Sequence, residues 1–153
     1  MRRVLLALGL AAACTGSDPL LERVRSAEVT IGDLDVARAY ALPPFTDAPM
    51  PLYLTVTNRG ATADTLVAVR GGEGFPAPMM HGSGMGMLDA LPVPAGGALR
   101  LEPGALHLMF DPPLPPVARG DSIAVTLTFR RAGSVTIWAP VIGYDEVDAV
   151  REE

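Results

Sequence analysis

At 153 residues the chain has room for one domain with a sizeable core but not for two. It has no lysine, and its 12 basic and 17 acidic residues leave a formal charge of −5, which argues against the basic surface that nucleic-acid binding needs. Cys14 is the only cysteine, so the domain beyond it can hold neither an internal disulfide nor a thiolate metal site.

The chain opens with MRRVLLALGLAAAC, in which Arg2 and Arg3 precede an apolar run from Val4 to Ala13 and small residues lead into Cys14. This is the pattern of an export signal over residues 1–13. The end of the run resembles the lipobox of bacterial lipoproteins, with Ala11 where leucine is usual and Leu10 one step further away. That resemblance implies lipidation of Cys14 as the mature N-terminus; the alternative is ordinary secretion with cleavage near Ala13. The run is about half of the roughly twenty residues that span a bilayer, which disfavours an uncleaved anchor. Without Arg2 and Arg3, ten arginines face seventeen acids, so the mature part is acidic by about seven charges. Residues 14–27 are polar and pattern-poor and are expected to form a flexible tether.

From residue 28 the chain reads as short strands. Leu52, Leu54 and Val56 alternate with Tyr53, Thr55 and Thr57, and Ile123, Val125, Leu127 and Phe129 alternate with small or hydroxylated residues. A period of two with one apolar face describes half-buried antiparallel strands. VTIWAPV, at 135–141, repeats the pattern. Turn signals separate the runs at Asn58-Arg59-Gly60, Gly71-Gly72, Gly82-Ser83-Gly84, Ala95-Gly96-Gly97, Pro103-Gly104 and Ala132-Gly133. Many short strands without a sustained helical period indicate a single all-β domain, a sandwich or barrel, over residues 28–145. The proline-rich stretch 111–121 suits an ordered loop or edge, and residues 146–153 are expected to be a solvated tail.

The chain has two histidines, and both lie among methionines. In ALHLMF (105–110), His107 and Met109 are two apart and project from one face of a strand, while Leu106, Leu108 and Phe110 project from the other. In MMHGSGMGM (79–87), a three-residue loop over Gly82-Ser83-Gly84 would set His81 directly opposite Met85. Opposed residues share a face, with Cβ atoms about 4.5–5.5 Å apart. Each segment thus pairs one imidazole with one thioether, and the two together would make a two-histidine, two-methionine site. Soft thioether sulfur with imidazole selects Cu(I) over zinc or hard cations. Methionine neither loses a proton nor forms a disulfide, which suits an exported protein. The bland alternative is that the methionines fill core gaps and the histidines are structural. Four of the seven methionines crowd into residues 79–87 around a glycine-rich turn, which makes poor core.

These segments resemble the periplasmic copper chaperones called PCu(A)C, whose signature ends in a methionine, twenty-one residues and then His-x-Met. Here Met85 is followed by residues 86–106 and then His107, Leu108 and Met109. VPAGGALRLEPGALHLMF, LYLTVTNRGATADTLVAV and GDSIAVTLTFRRAGSVTIWAPV are similar to the family's other segments, so the resemblance runs from about residue 29 to 141. It implies a cupredoxin-like, Ig-like antiparallel β-sandwich that is not an enzyme. It also implies one Cu(I) per chain, held at an exposed site by His81, Met85, His107 and Met109 and passed to the copper centre of a cytochrome c oxidase or to another chaperone. Cu(II) is an alternative guest. Only three residues separate His81 from Met85 where the family has about eleven, but losing four from each arm of a hairpin keeps both on one face. Met87, two residues further on, can replace Met85, whereas Met79 and Met80 fall outside the expected set.

A blue-copper electron carrier would need a cysteine ligand, which Cys14 cannot supply. A hydrolase has no nucleophile elbow here, since Gly82-Ser83-Gly84 is not that motif. A copper-sequestering protein using the same ligands and a structural sandwich lipoprotein without metal remain as rival readings. The expected state is a monomer touching membrane only through an N-terminal lipid.

Overall fold

The strong period-two alternation does produce strands, and they assemble into two facing antiparallel sheets. The computed structural model describes residues 16–84 and 86–151; the expected export signal over residues 1–13, Cys14 and Met85 lie outside the described residues. One sheet runs β1 (Glu28–Ile31), β2 (Leu34–Ala41), β3 (Met50–Asn58), β9 (His107–Phe110), β5 (Met79–His81) and β6 (Met87–Leu88), with β8 (Ala98–Leu101) sharing an edge of β3 with β9. The other runs β11 (Gly133–Pro140), β10 (Ser122–Phe129), β4 (Asp64–Gly71) and β7 (Leu91–Val93). Leu52, Leu54, Val56, Leu108 and Phe110 from the first sheet meet Leu66, Ile123, Val125, Leu127 and Phe129 from the second in one core. Burial of each such side chain stabilises the fold by about 1.5–3 kcal/mol before the entropy of ordering is counted.

Two irregularities set which side chains face outward. Ala37 opposes Thr55 while Tyr40 opposes Tyr53, so three steps along β2 match two along β3, and Arg38 takes the left-handed backbone conformation at φ 55°. This bulge reverses the phase of the strand. Val36 points into the core before it and Ala39 and Ala41 after it, so Tyr40 is turned to the outer face. The second irregularity lies on the other edge of β3. Leu54 opposes Leu101 and Leu52 opposes Leu108, so seven steps along one strand match two along the other. The excess is an excursion at 102–106, closed by the Glu102 N–H donating to the Leu106 carbonyl at 2.8 Å.

The described part of the expected tether, residues 16–27, departs from that expectation. Pro19–Ser26 form helix α1, capped by the Asp18 side chain, which accepts the Leu20 N–H at 2.8 Å, with Pro19 opening the first turn. Leu20 and Val24, four apart, share a stripe that buries against Tyr40, Leu42, Tyr53 and Ile142. The C-terminal stretch likewise departs from a solvated tail: Tyr144–Glu146 form a 3-10 turn, Val147–Arg151 form α2, and Val150 is only 4 % exposed in the same cluster. Arg119 ties the two ends together by donating to both carboxylate oxygens of Glu146 and to Asp18. Asp18 is held below the ordinary carboxylate range first by the Leu20 N–H and then by Arg119, and Glu146 first by Arg119. Burial pushes the Tyr40 hydroxyl up to about 12, so the phenol stays neutral under this cover.

Asp64 joins strands of the second sheet to their turn. Its carboxylate accepts the N–H groups of Thr65, Arg131 and Ala132 at 2.7, 2.9 and 2.9 Å. Burial pushes its pKa up, but these three N–H groups and the Arg131 charge outweigh burial and leave it below the ordinary 3.8. Its contribution is therefore complete above that ordinary value and is lost as pH falls through the lowered one.

Asp64→Asn should lower unfolding free energy at pH 7 by about 2 kcal/mol and reduce the further loss of stability below about pH 4, as read by urea denaturation at both pH values. An unchanged midpoint at pH 7 would contradict this account. Leu20→Ala should cost about 2–4 kcal/mol in the same assay, whereas a free tether would tolerate it without effect.

Candidate metal centre

In β9, Leu108 and Phe110 are fully buried in the core. The alternation of a strand therefore directs His107 and Met109 to the outer face. In β5, Met80 is buried in the same core, which directs Met79 and His81 outward in the same way. These two short strands lie side by side, antiparallel, with His81 opposite His107, Met80 opposite Leu108 and Met79 opposite Met109. The outer face thus carries an imidazole pair next to a thioether pair.

The imidazoles are stacked, with ring centroids 5.5 Å apart and planes inclined by 11°. Each histidine is only 7 % exposed. The rings are therefore recessed rather than fully displayed, and the half-buried Met79 and Met109 sit beside them. The Nδ1 of His107 lies 2.8 Å from the Ala105 carbonyl oxygen. A carbonyl can only accept, so this nitrogen carries the proton and Nε2 presents its lone pair. The excursion at 102–106 thereby orients one donor atom of the site, as outer partners of metal-binding histidines do.

The hairpin between β5 and β6 differs from the expected three-residue loop. His81 opposes Met87, not Met85, and Gly82 donates to the Gly86 carbonyl at 2.9 Å, so the loop spans residues 82–86. Glycines at 82, 84 and 86 accommodate either loop length, and the wider one moves the register by two. A shift of two preserves the face, so Met87 takes the position expected of Met85. Met87 is 71 % exposed on the two-residue strand β6 at the sheet edge. Met85 lies outside the described residues.

Of the expected ligands, His81, His107 and Met109 are brought together, and the substitute Met87 adjoins them. Met79, outside the expected set, faces Met109 directly. Its signal in the sequence is Met79-x-His81, the reverse of His107-x-Met109, which acquires meaning only once the two strands are known to pair. Among the described residues no group of three or more His, Cys, Asp or Glu side chains could hold a metal ion. A metal on this face would have to accept thioether sulfur, and imidazole with thioether is a donor set for Cu(I).

A family model for LpqE-like lipoproteins matches residues 32–141. The chain belongs to that family. Comparison with curated protein sequences returned no match. Among solved structures, this LpqE-like chain is similar to the apo PCuAC domain from PmoF1, at 26 % identity and a TM-score of 0.71 over 76 % of this chain and 99 % of that one. It is similar to the copper-bound PCuAC domain from PmoF2 at 24 % identity and a TM-score of 0.70, over 76 % of this chain and 98 % of that one. The solution structure of CuI-DR1885 from Deinococcus radiodurans matches at 22 % identity and a TM-score of 0.59, covering 79 % and 84 % of the two chains. The resemblance to PCu(A)C domains and the single β-sandwich read from the sequence are both borne out. Among the described residues no helix is long and apolar enough to cross a membrane.

The LpqE-like chain should show His107 in the Nδ1–H form at neutral pH without metal, as read from long-range nitrogen–proton NMR correlations. A predominant Nε2–H form would mean that the Ala105 carbonyl does not orient the ring.

Proposed function

We propose that this LpqE-like chain is an exported Cu(I) carrier that hands its ion to the copper centre of a cytochrome c oxidase or to another copper chaperone. The observation that carries the reading is the facing pair His81 and His107 on a sheet face that also bears thioethers. The donor set is soft and neutral, so it favours a monovalent soft cation over zinc, calcium or magnesium. The likeness to the copper-bound PCuAC domain of PmoF2 and to CuI-DR1885 supports the same cargo. His81, His107 and Met109 serve as ligands, with a further thioether from the hairpin, Met85 by its spacing in the sequence or Met87 by its place opposite His81. The chain acts as a carrier and performs no catalysis. Release proceeds by ligand exchange: an incoming donor from the acceptor displaces one thioether at a time, so the ion is never left bare. The lipoprotein family supports lipidation of Cys14, which would keep the carrier, as a monomer, on the outer side of the cell membrane.

Residues 15–153 should take up one equivalent of Cu(I) in an anaerobic titration against a chromophoric chelator, and His107→Ala should weaken that binding by about tenfold or more. Equal affinity in the variant, or no uptake by either protein, would end the copper reading. Mixing the loaded protein with a copper-free oxidase domain should move the ion; retention would assign sequestration instead of delivery.

A further inference from the structure

We propose that Met79 is a further copper ligand of this chain, joining His81, His107 and Met109 of β5 and β9, with the hairpin thioether as the ligand exchanged with an acceptor. The proposal rests on the reading of this face as a Cu(I) site.

Its basis is the register. An antiparallel pair has a local two-fold axis perpendicular to the sheet, and here that axis passes between Met80 and Leu108, which oppose each other. It exchanges position 79 with 107 and position 81 with 109, so the four side chains surround the axis on one face. Met79-x-His81 is thus the rotational counterpart of His107-x-Met109. Any position above the face that His107 and Met109 reach together is reached equally by His81 and Met79 if it lies near the axis. The four residues occupy the corners of a rectangle about 5 Å across the strands and about 7 Å along them. Methionine has three rotatable bonds and can fold toward the centre of such a rectangle. Met79 and Met109 are also alike in exposure, both half-buried.

The hairpin methionine is placed differently. Met87 sits on a two-residue edge strand, is largely in solvent, and would lose more side-chain freedom on binding than a half-buried partner. The roles therefore divide. The thioethers of β5 and β9 hold the ion, and the exposed hairpin thioether exchanges it with an acceptor.

The test compares Met79→Leu and Met109→Leu with the parent in anaerobic Cu(I) titrations, together with X-ray absorption to count sulfur neighbours of the bound ion. Leucine conserves volume, and urea denaturation of each metal-free variant checks the fold. Met79→Leu and Met109→Leu should weaken binding to similar extents, by about tenfold or more, and each should remove one sulfur neighbour. Parent-like affinity and an unchanged sulfur count in Met79→Leu would overturn the proposal while leaving the copper reading intact, provided His107→Ala still weakens binding. A parent that binds no Cu(I) overturns both.

Discussion

Everything on the candidate face follows from the burial of three side chains, Leu108 and Phe110 in β9 and Met80 in β5. A strand offers only two faces, and slipping either strand by one residue would lift these groups into water and drive histidines into the core. Losing Leu108 and Phe110 from the core would cost about 3–6 kcal/mol together, comparable with the whole stability of many domains. The apolar side of the sheet therefore fixes the polar side. The strands hold the backbones of both histidines, and the Ala105 carbonyl turns one ring.

The same outer face serves two purposes at its two ends. Tyr53 lies two residues beyond Pro51, which opposes Met109, so the tyrosine pair and the thioethers belong to one surface. Around Tyr40 and Tyr53 that surface is closed by α1 and α2 and is apolar. Over β5 and β9 it presents nitrogen and sulfur. Two phase changes make the division workable: the bulge at Arg38 turns Tyr40 outward beneath the helices, and the excursion at 102–106 lets β9 restart with His107 outward. Both are local insertions that leave the neighbouring pairing intact.

The strands were legible where they send every second residue into the core, as β3 and β10 do, and alternation needs no tertiary knowledge to be seen. Leu52, Leu54 and Val56, or Ile123 through Phe129, could hardly be read otherwise. Helix α1 was missed because its only apolar stripe is Leu20 and Val24, too short to show a period, although Asp18 followed by Pro19 is a usable start signal. Val150 was missed for the same reason, since a five-residue helix exposes no pattern. In the site, His107 and Met109 were legible from spacing within one strand. The loop length was not, because glycines at 82, 84 and 86 permit more than one turn. Met79 was invisible as a neighbour of Met109, since nothing local to either segment says that β5 and β9 are adjacent or in which register they meet.

The pairing of His81 with His107 closes a loop of twenty-five residues, 82–106, that includes β6, β7 and β8. Bringing such ends together carries an entropic penalty that only the finished sheet repays. Before that, the unfolded chain holds two separate fragments, one Met-x-His and one His-x-Met. The complete donor set is therefore a property of the folded state alone. A guest that binds it raises the stability of that state by mass action and has little hold on the unfolded chain. Maturation of the fold and loading of the site are in this way ordered in time by the topology of a single strand pair.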